Sequence, residues 1–154
     1  MAKISVELIK TLREKTGVGV MEAKKALEES RGDEKKATAW IGKHGLMKIA
    51  AKAERTAGEG LIASYTHHGG KVAALVEVAC ETDFVARTEE FSALARELAM
   101  QVASMDPKDV KELLGQEYIR EQGKTVEQLI AEVVSKTGEK IEVKRFVRFE
   151  MGEK

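Results

Sequence analysis

The spacing of apolar residues changes character partway along this chain. Val6, Ile9 and Leu12 recur at helical intervals with Leu8 alongside, and Gly17 and Gly19 break the run with a tight turn. Met21, Ala23, Ala26 and Leu27 open a second helix that ends near Ser30-Arg31-Gly32. Asp33 then stands as the N-cap of a third, whose inner face is Ala37, Trp40 and Ile41, with Trp40 read as core. Three helices this short bury little area and are marginal alone. Lys43 to Arg55, basic and rich in Ala, reads as a linker that can be helical for part of its length, with Gly58 and Gly60 breaking it.

Beyond the linker the apolar positions alternate. Leu61 to Thr66 reads as one strand, and Val72, Ala74, Val76, Val78 and Cys80 mark a second. Gly69 and Gly70 lie between them, and two residues able to take positive φ predict a hairpin. A helix follows, with Thr88 as its cap, Phe91, Leu94, Leu98, Val102 and Met105 on one face, and Pro107 closing the segment. Thr125-Val126-Glu127-Gln128 has the capping-box pattern, in which the Thr hydroxyl and the Gln amide satisfy each other's orphan backbone donors. Leu129, Ile130, Val133 and Val134 ride on that helix and Gly138 ends it. The last run alternates as a strand, with Ile141, Val143, Val147 and Phe149 assigned to one face. The fold class is therefore α+β. Residues 1–52 form a helical module and the start of the linker, and residues 53–154 form a core of helices on a small antiparallel sheet.

Composition narrows the function. Among 154 residues only 5% are aromatic, so the core must be mostly Ala, Val, Leu and Ile. The 26 basic and 26 acidic residues cancel. That balance argues against a nucleic-acid binder, which needs a basic excess to neutralise phosphates, and against a protein held electrostatically at a membrane. No apolar run approaches the roughly 20 residues that cross a bilayer. Glu7 stands where a signal peptide would be apolar, and Cys80 has no cysteine to pair with. A soluble cytoplasmic protein is the expectation. The chain has no P-loop, metalloprotease helix or nucleophile elbow, so no nucleotide, cofactor or metal is expected on it, and no catalysis. An enzymatic reading would need Cys80 as nucleophile and His67 or His68 as base, but the apolar run around Cys80 favours inert packing. Adjacent histidines on a strand point to opposite faces and make a poor pair of ligands for one metal.

Three ordered stretches carry a family resemblance: Leu12 to Leu27 around Gly17-Val18-Gly19, Glu77 to Arg87 with Thr82-Asp83-Phe84-Val85-Ala86 at its centre, and Gly138 to Glu150. The chain resembles bacterial translation elongation factor Ts. That resemblance implies a ubiquitin-associated-like N-terminal module. It also implies guanine-nucleotide exchange on the GTPase elongation factor Tu, whose Mg²⁺ and phosphate site is disturbed when a Phe of the signature enters between its helices. It assigns this role to Phe84, with Thr82, Asp83 and Val85 around it. It makes Arg13, Val20 and Met21, with Lys10 one turn earlier, the docking surface of the module, and His67 and His68 a contact for a distal domain of the partner. Short members of the family pair as homodimers along a sheet edge. Val20 departs from the Met usual in the family, and Pro107 to Gln122 is shorter than in typical members. A rival reading, a helical adaptor for a ribosomal or ubiquitin-like partner, uses residues 1–50 alone. Removing residues 1–52 would abolish an adaptor and leave an exchange factor partly active.

Overall fold

The computed structural model describes residues 4–153; Met1 to Lys3, part of the N-terminal stretch weighed as a leader, and Lys154 lie outside the described residues. Among these are seven helices and one three-stranded antiparallel sheet, an α+β fold.

Helix α1 (Val6–Thr16) starts at Ser5, whose side chain accepts from Leu8 N, and stops at Gly17 in the left-handed conformation. Helix α2 (Val20–Glu29) and helix α3 (Glu34–Ala51) close a small core of Leu12, Val18, Ala23, Ala26, Leu27, Ala37 and Ile41. Asp33 caps α3 by accepting from Lys36 N at 3.0 Å. Trp40 is only half-buried: it packs on the edge of this core and stacks on His44 with ring centroids 3.5 Å apart, so its indole is a lid, not a centre.

The linker expected from Lys43 is largely helix. α3 runs on to Ala51 and packs against helix α7 (Val126–Thr137). Gly45 permits the approach, since a Cβ there would sit 3.1 Å from the Ala131 Cβ. One helix thus lines both cores. Cutting the chain after residue 52 would strip a wall from α7, so truncation cannot cleanly separate the adaptor and exchange readings.

The second core is built on strands β1 (Glu59–Thr66), β2 (Val72–Cys80) and β3 (Glu142–Glu150), in the order β1-β2-β3. Gly69 and Gly70 take φ of 91° and 70° in the β1–β2 hairpin. Helix α5 (Glu89–Met105), capped by Thr88, lays Phe91, Leu94, Leu98 and Val102 on the sheet; Met105, the last residue of that stripe, falls past the sheet and is exposed. Fully buried Gln101 ties the segment after helix α6 (Val110–Gly115) to α5: its amide donates to Glu117 O and accepts from Ile119 N. The sequence pattern missed α6, which is too short for periodicity. In α7 the Thr125–Gln128 capping box forms in both directions.

β3 departs from the predicted single face. Its register slips at Glu77/Val78, where Val78 pairs with Val143 but Glu77 pairs with Arg145, leaving Lys144 as a bulge. An extra residue reverses the alternation. Val143 and Phe146 face α5 and the core, whereas Val147 and Phe149 turn to the other side of the sheet, where Phe149 is 71% exposed. Arg148 follows Phe146 to the α5 side and donates to Ala103 O at 3.0 Å, a cation set at the C-terminal end of that helix.

Candidate functional site

β2 leaves the sheet at Cys80, and after Glu81 and Thr82 the chain enters helix α4 (Asp83–Ala86). Thr82 caps this single turn, its hydroxyl accepting from Val85 N at 3.3 Å. Val85 is buried beneath, which fixes the turn to the core. Between these anchors Phe84 projects outward, 78% exposed. Asp83 lies beside it and accepts from Arg87 at 2.8 Å along the outer face. The turn thus holds an apolar ring out to solvent while Thr82 and Val85 keep its backbone fixed.

Contacts that sequence reasoning missed hold the corner from behind. The Glu139 carboxylate receives donors from Glu81 and Thr82. In exchange, Glu81 receives the Lys140 amide at 2.6 Å and Arg55 Nη1 at 3.3 Å. The end of β2 and the loop from α7 to β3 are therefore clasped both ways. Only Glu139's membership of a matching motif hinted at it, because 57 residues separate it from Thr82. The Lys140 amide, against the opposing effect of burial, and then Arg55 hold the Glu81 carboxyl below its ordinary value of 4.5. A depressed carboxyl contributes stability above its unfolded pKa, and that contribution is lost as pH falls through the folded value. The urea midpoint of the wild type should exceed that of Glu81→Gln at neutral pH, and the difference should shrink as pH is lowered beneath 4.5. A difference independent of pH would show that the ionised carboxylate is not what matters.

A second group surrounds the α1–α2 turn. Gly17 has φ 71°, and Arg13 Nε donates to Val18 O at 3.3 Å, bracing the turn from α1. Val18 is buried, while Val20 and Met21 are exposed, Met21 by 74%. Met21 stays outside because Ala23, Ala26 and Leu27 fill the inner face of α2. Lys10 is exposed one turn before Arg13 on α1.

His67 and His68 stand at the hairpin tip, both exposed, with the His67 ring 3.1 Å from the Tyr65 hydroxyl. They lie at the opposite end of β2 from Cys80, roughly 25 Å away at about 3.3 Å per strand residue. The Cys80 thiol is buried and donates to Thr82 O; burial first, and the Glu139 charge second, push its pKa up. With its base at the far end of the sheet and its thiolate disfavoured, the nucleophile reading is overturned. The described residues contain no group of three or more His, Cys, Asp and Glu that could hold a metal ion, and no described helix is long and apolar enough to cross a membrane.

Comparison with known proteins places this geometry in a lineage. The family model described as Elongation factor TS matches residues 81–154, a span that starts at the clasp and contains the Phe84 corner. A protein named Elongation factor Ts from Nostoc punctiforme is 47% identical over 153 residues, which is 99% of this chain and 48% of the relative. The chain thus spans about half the length of that relative. Another of the same name, from Desulforamulus reducens, is 39% identical over 198 positions, covering 99% of this chain and 91% of the relative. That alignment is longer than the chain, so the relative carries residues that this chain lacks. A third, from Synechocystis, is 38% identical with the same coverage on both sides. Aligned along nearly its whole length with proteins that it covers almost end to end, the chain belongs to the elongation factor Ts family.

Proposed function

We propose that this chain is a guanine-nucleotide exchange factor for elongation factor Tu, acting by binding alone. The observation that carries the reading is the exposure of Phe84 on a turn anchored by Thr82 and Val85. A GTPase holds GDP through Mg²⁺ and through backbone amides on the phosphates. An aromatic wedge that fits only a distorted form of that site draws the GTPase toward the distorted form by its differential affinity. Nucleotide must then weaken the factor in the same proportion. About 4 kcal/mol of coupling weakens GDP roughly a thousandfold. No bond is made or broken, so the factor is not consumed.

Residues 1–52 serve as the docking module in this reading and residues 53–154 as the core that carries the wedge. Arg13, Val20 and Met21 combine a cation with an exposed apolar pair, a composition suited to a partner helix, and Lys10 extends the surface. His67 and His68 extend the reach at the other end of the sheet. The adaptor alternative accounts for the first group and gives Phe84 no purpose.

We also infer a homodimer. The bulge at Lys144 turns Val147 and Phe149 to the sheet face away from α5, where they are exposed with Ile62 and Leu75; the Glu77–Arg145 pair at 2.6 Å lies in the same row as Ile62. Such a patch on three adjacent strands suits a second copy of the same sheet, packed face to face rather than along an edge. Light scattering at micromolar concentration should give twice the 17.0 kDa chain mass, and Phe149→Glu should give the monomer. Monomers alone from the wild type would remove the inference. The exchange function is tested by mixing the protein with elongation factor Tu carrying fluorescent GDP: wild type should accelerate release, and Phe84→Ala should do so far more slowly.

A further inference from the structure

We propose that Glu139 is the positioning residue of the Phe84 corner, setting the direction of the ring through a proton held on Thr82. The proposal rests on the exchange-factor reading for its consequence and on geometry for its content.

β2 ends at Cys80, and the next two amides have no strand to pair with. Both are taken by one carboxylate oxygen: Glu139 Oε1 accepts from Glu81 N at 3.1 Å and from Thr82 N at 2.9 Å. Glu139 Oε2 accepts from the Thr82 hydroxyl at 2.7 Å. A hydroxyl has one proton, and an ionised carboxylate can only accept. Thr82 must therefore donate to Glu139, which leaves its lone pairs for Val85 N. Through that chain a residue at the end of α7 decides which way the cap of α4 faces. Phe84 lies between Thr82 and Val85, so the same chain aims the ring.

The carboxylate is itself held. Gly138 closes α7 with φ 74° and its amide on Val134 O at 2.8 Å, and the neighbouring Lys140 amide is fixed by Glu81. Glu139 is half-buried, and its carboxylate hydrogen bonds go to Glu81 and Thr82, so its influence on the corner passes through Thr82. Gln at this position keeps one accepting oxygen but turns an NH₂ group toward either the amides or the hydroxyl. With its oxygen on the two amides and its NH₂ on the hydroxyl, Gln keeps the contacts, since the Thr82 oxygen has lone pairs for both that NH₂ and Val85 N; only the charge is lost.

The test uses the full chain in three variants, Glu139→Ala, Glu139→Gln and Phe84→Ala, and the double variant Glu139→Ala/Phe84→Ala. Release of fluorescent GDP is followed against factor concentration. The expected result for Glu139→Ala is a saturating rate lowered by about tenfold, the equivalent of one charge-assisted hydrogen bond, with little change in the half-saturating concentration. Glu139→Gln should fall between it and wild type. The double variant should be no slower than Phe84→Ala, because a misaimed ring and a missing ring are the same defect. Equal rates for Glu139→Ala and wild type, or a further drop in the double variant, would overturn the proposal. Amide hydrogen exchange supplies a readout independent of the GTPase: Thr82 and Val85 should lose protection in Glu139→Ala and keep it in Phe84→Ala. Unchanged protection sinks the positioning role whatever the rates. If protection falls as expected but wild type releases no GDP, the exchange reading fails and the positioning of the corner stands.

Discussion

Phe84→Ala should slow factor-stimulated GDP release by about tenfold or more while leaving the urea midpoint of the free protein nearly unmoved. The two halves of this expectation have one cause. At 78% exposure the ring contributes little to its own fold, and surface substitutions of that kind stay within about 0.5 kcal/mol. Buried in a partner, a Phe side chain is worth roughly 1.5–3 kcal/mol, or about ten- to a hundredfold and more in an equilibrium. If that burial occurs only in the nucleotide-weakened form, nearly all of it appears in the release rate. Stopped-flow fluorescence at saturating factor separates this from weaker docking. A variant as fast as wild type would show that the ring is not the wedge.

Phe91→Ala should do the reverse. Seven residues along the chain, this ring is 0% exposed, packed between α5 and the sheet. Truncating a buried Phe costs about 3–5 kcal/mol, part for lost transfer and part for the cavity left behind. Since domains of this kind hold only about 5–15 kcal/mol in all, the loss should be a large fraction of the total. The urea midpoint, measured at one fixed protein concentration, should fall steeply, with exchange activity declining only in proportion to the folded fraction. Retention of the wild-type midpoint would mean that α5 is not the main cover of the sheet.

The contrast between these two phenylalanines shows what could be read from the chain. Phe91 belongs to a stripe at helical spacing after a capping Thr, and both signals are local. The same is true of Asp33, of the Thr125–Gln128 box and of the Gly69-Gly70 turn, all of which formed where the sequence predicted. Phe84 has no stripe, and periodicity alone favours hiding it; family resemblance pointed outward. What stayed illegible is non-local. Helix α3 continues through the expected linker because Gly45 lets it lie against Ala131, a neighbour 86 residues away. The clasp of Glu139 on Thr82 joins residues that no local pattern connects. Trp40 and Met105 were assigned inward by spacing, yet each stands where its own core runs out.

The extra residue in β3 also bears on how other chains of this family should be compared. Read by spacing alone, Val143, Val147 and Phe149 fall on one face of residues 142–150, and the extra residue at Lys144 goes unseen. Physically that single step exchanges the dry and wet sides of everything after it, so in this strand a homologue's length is more informative than its letters.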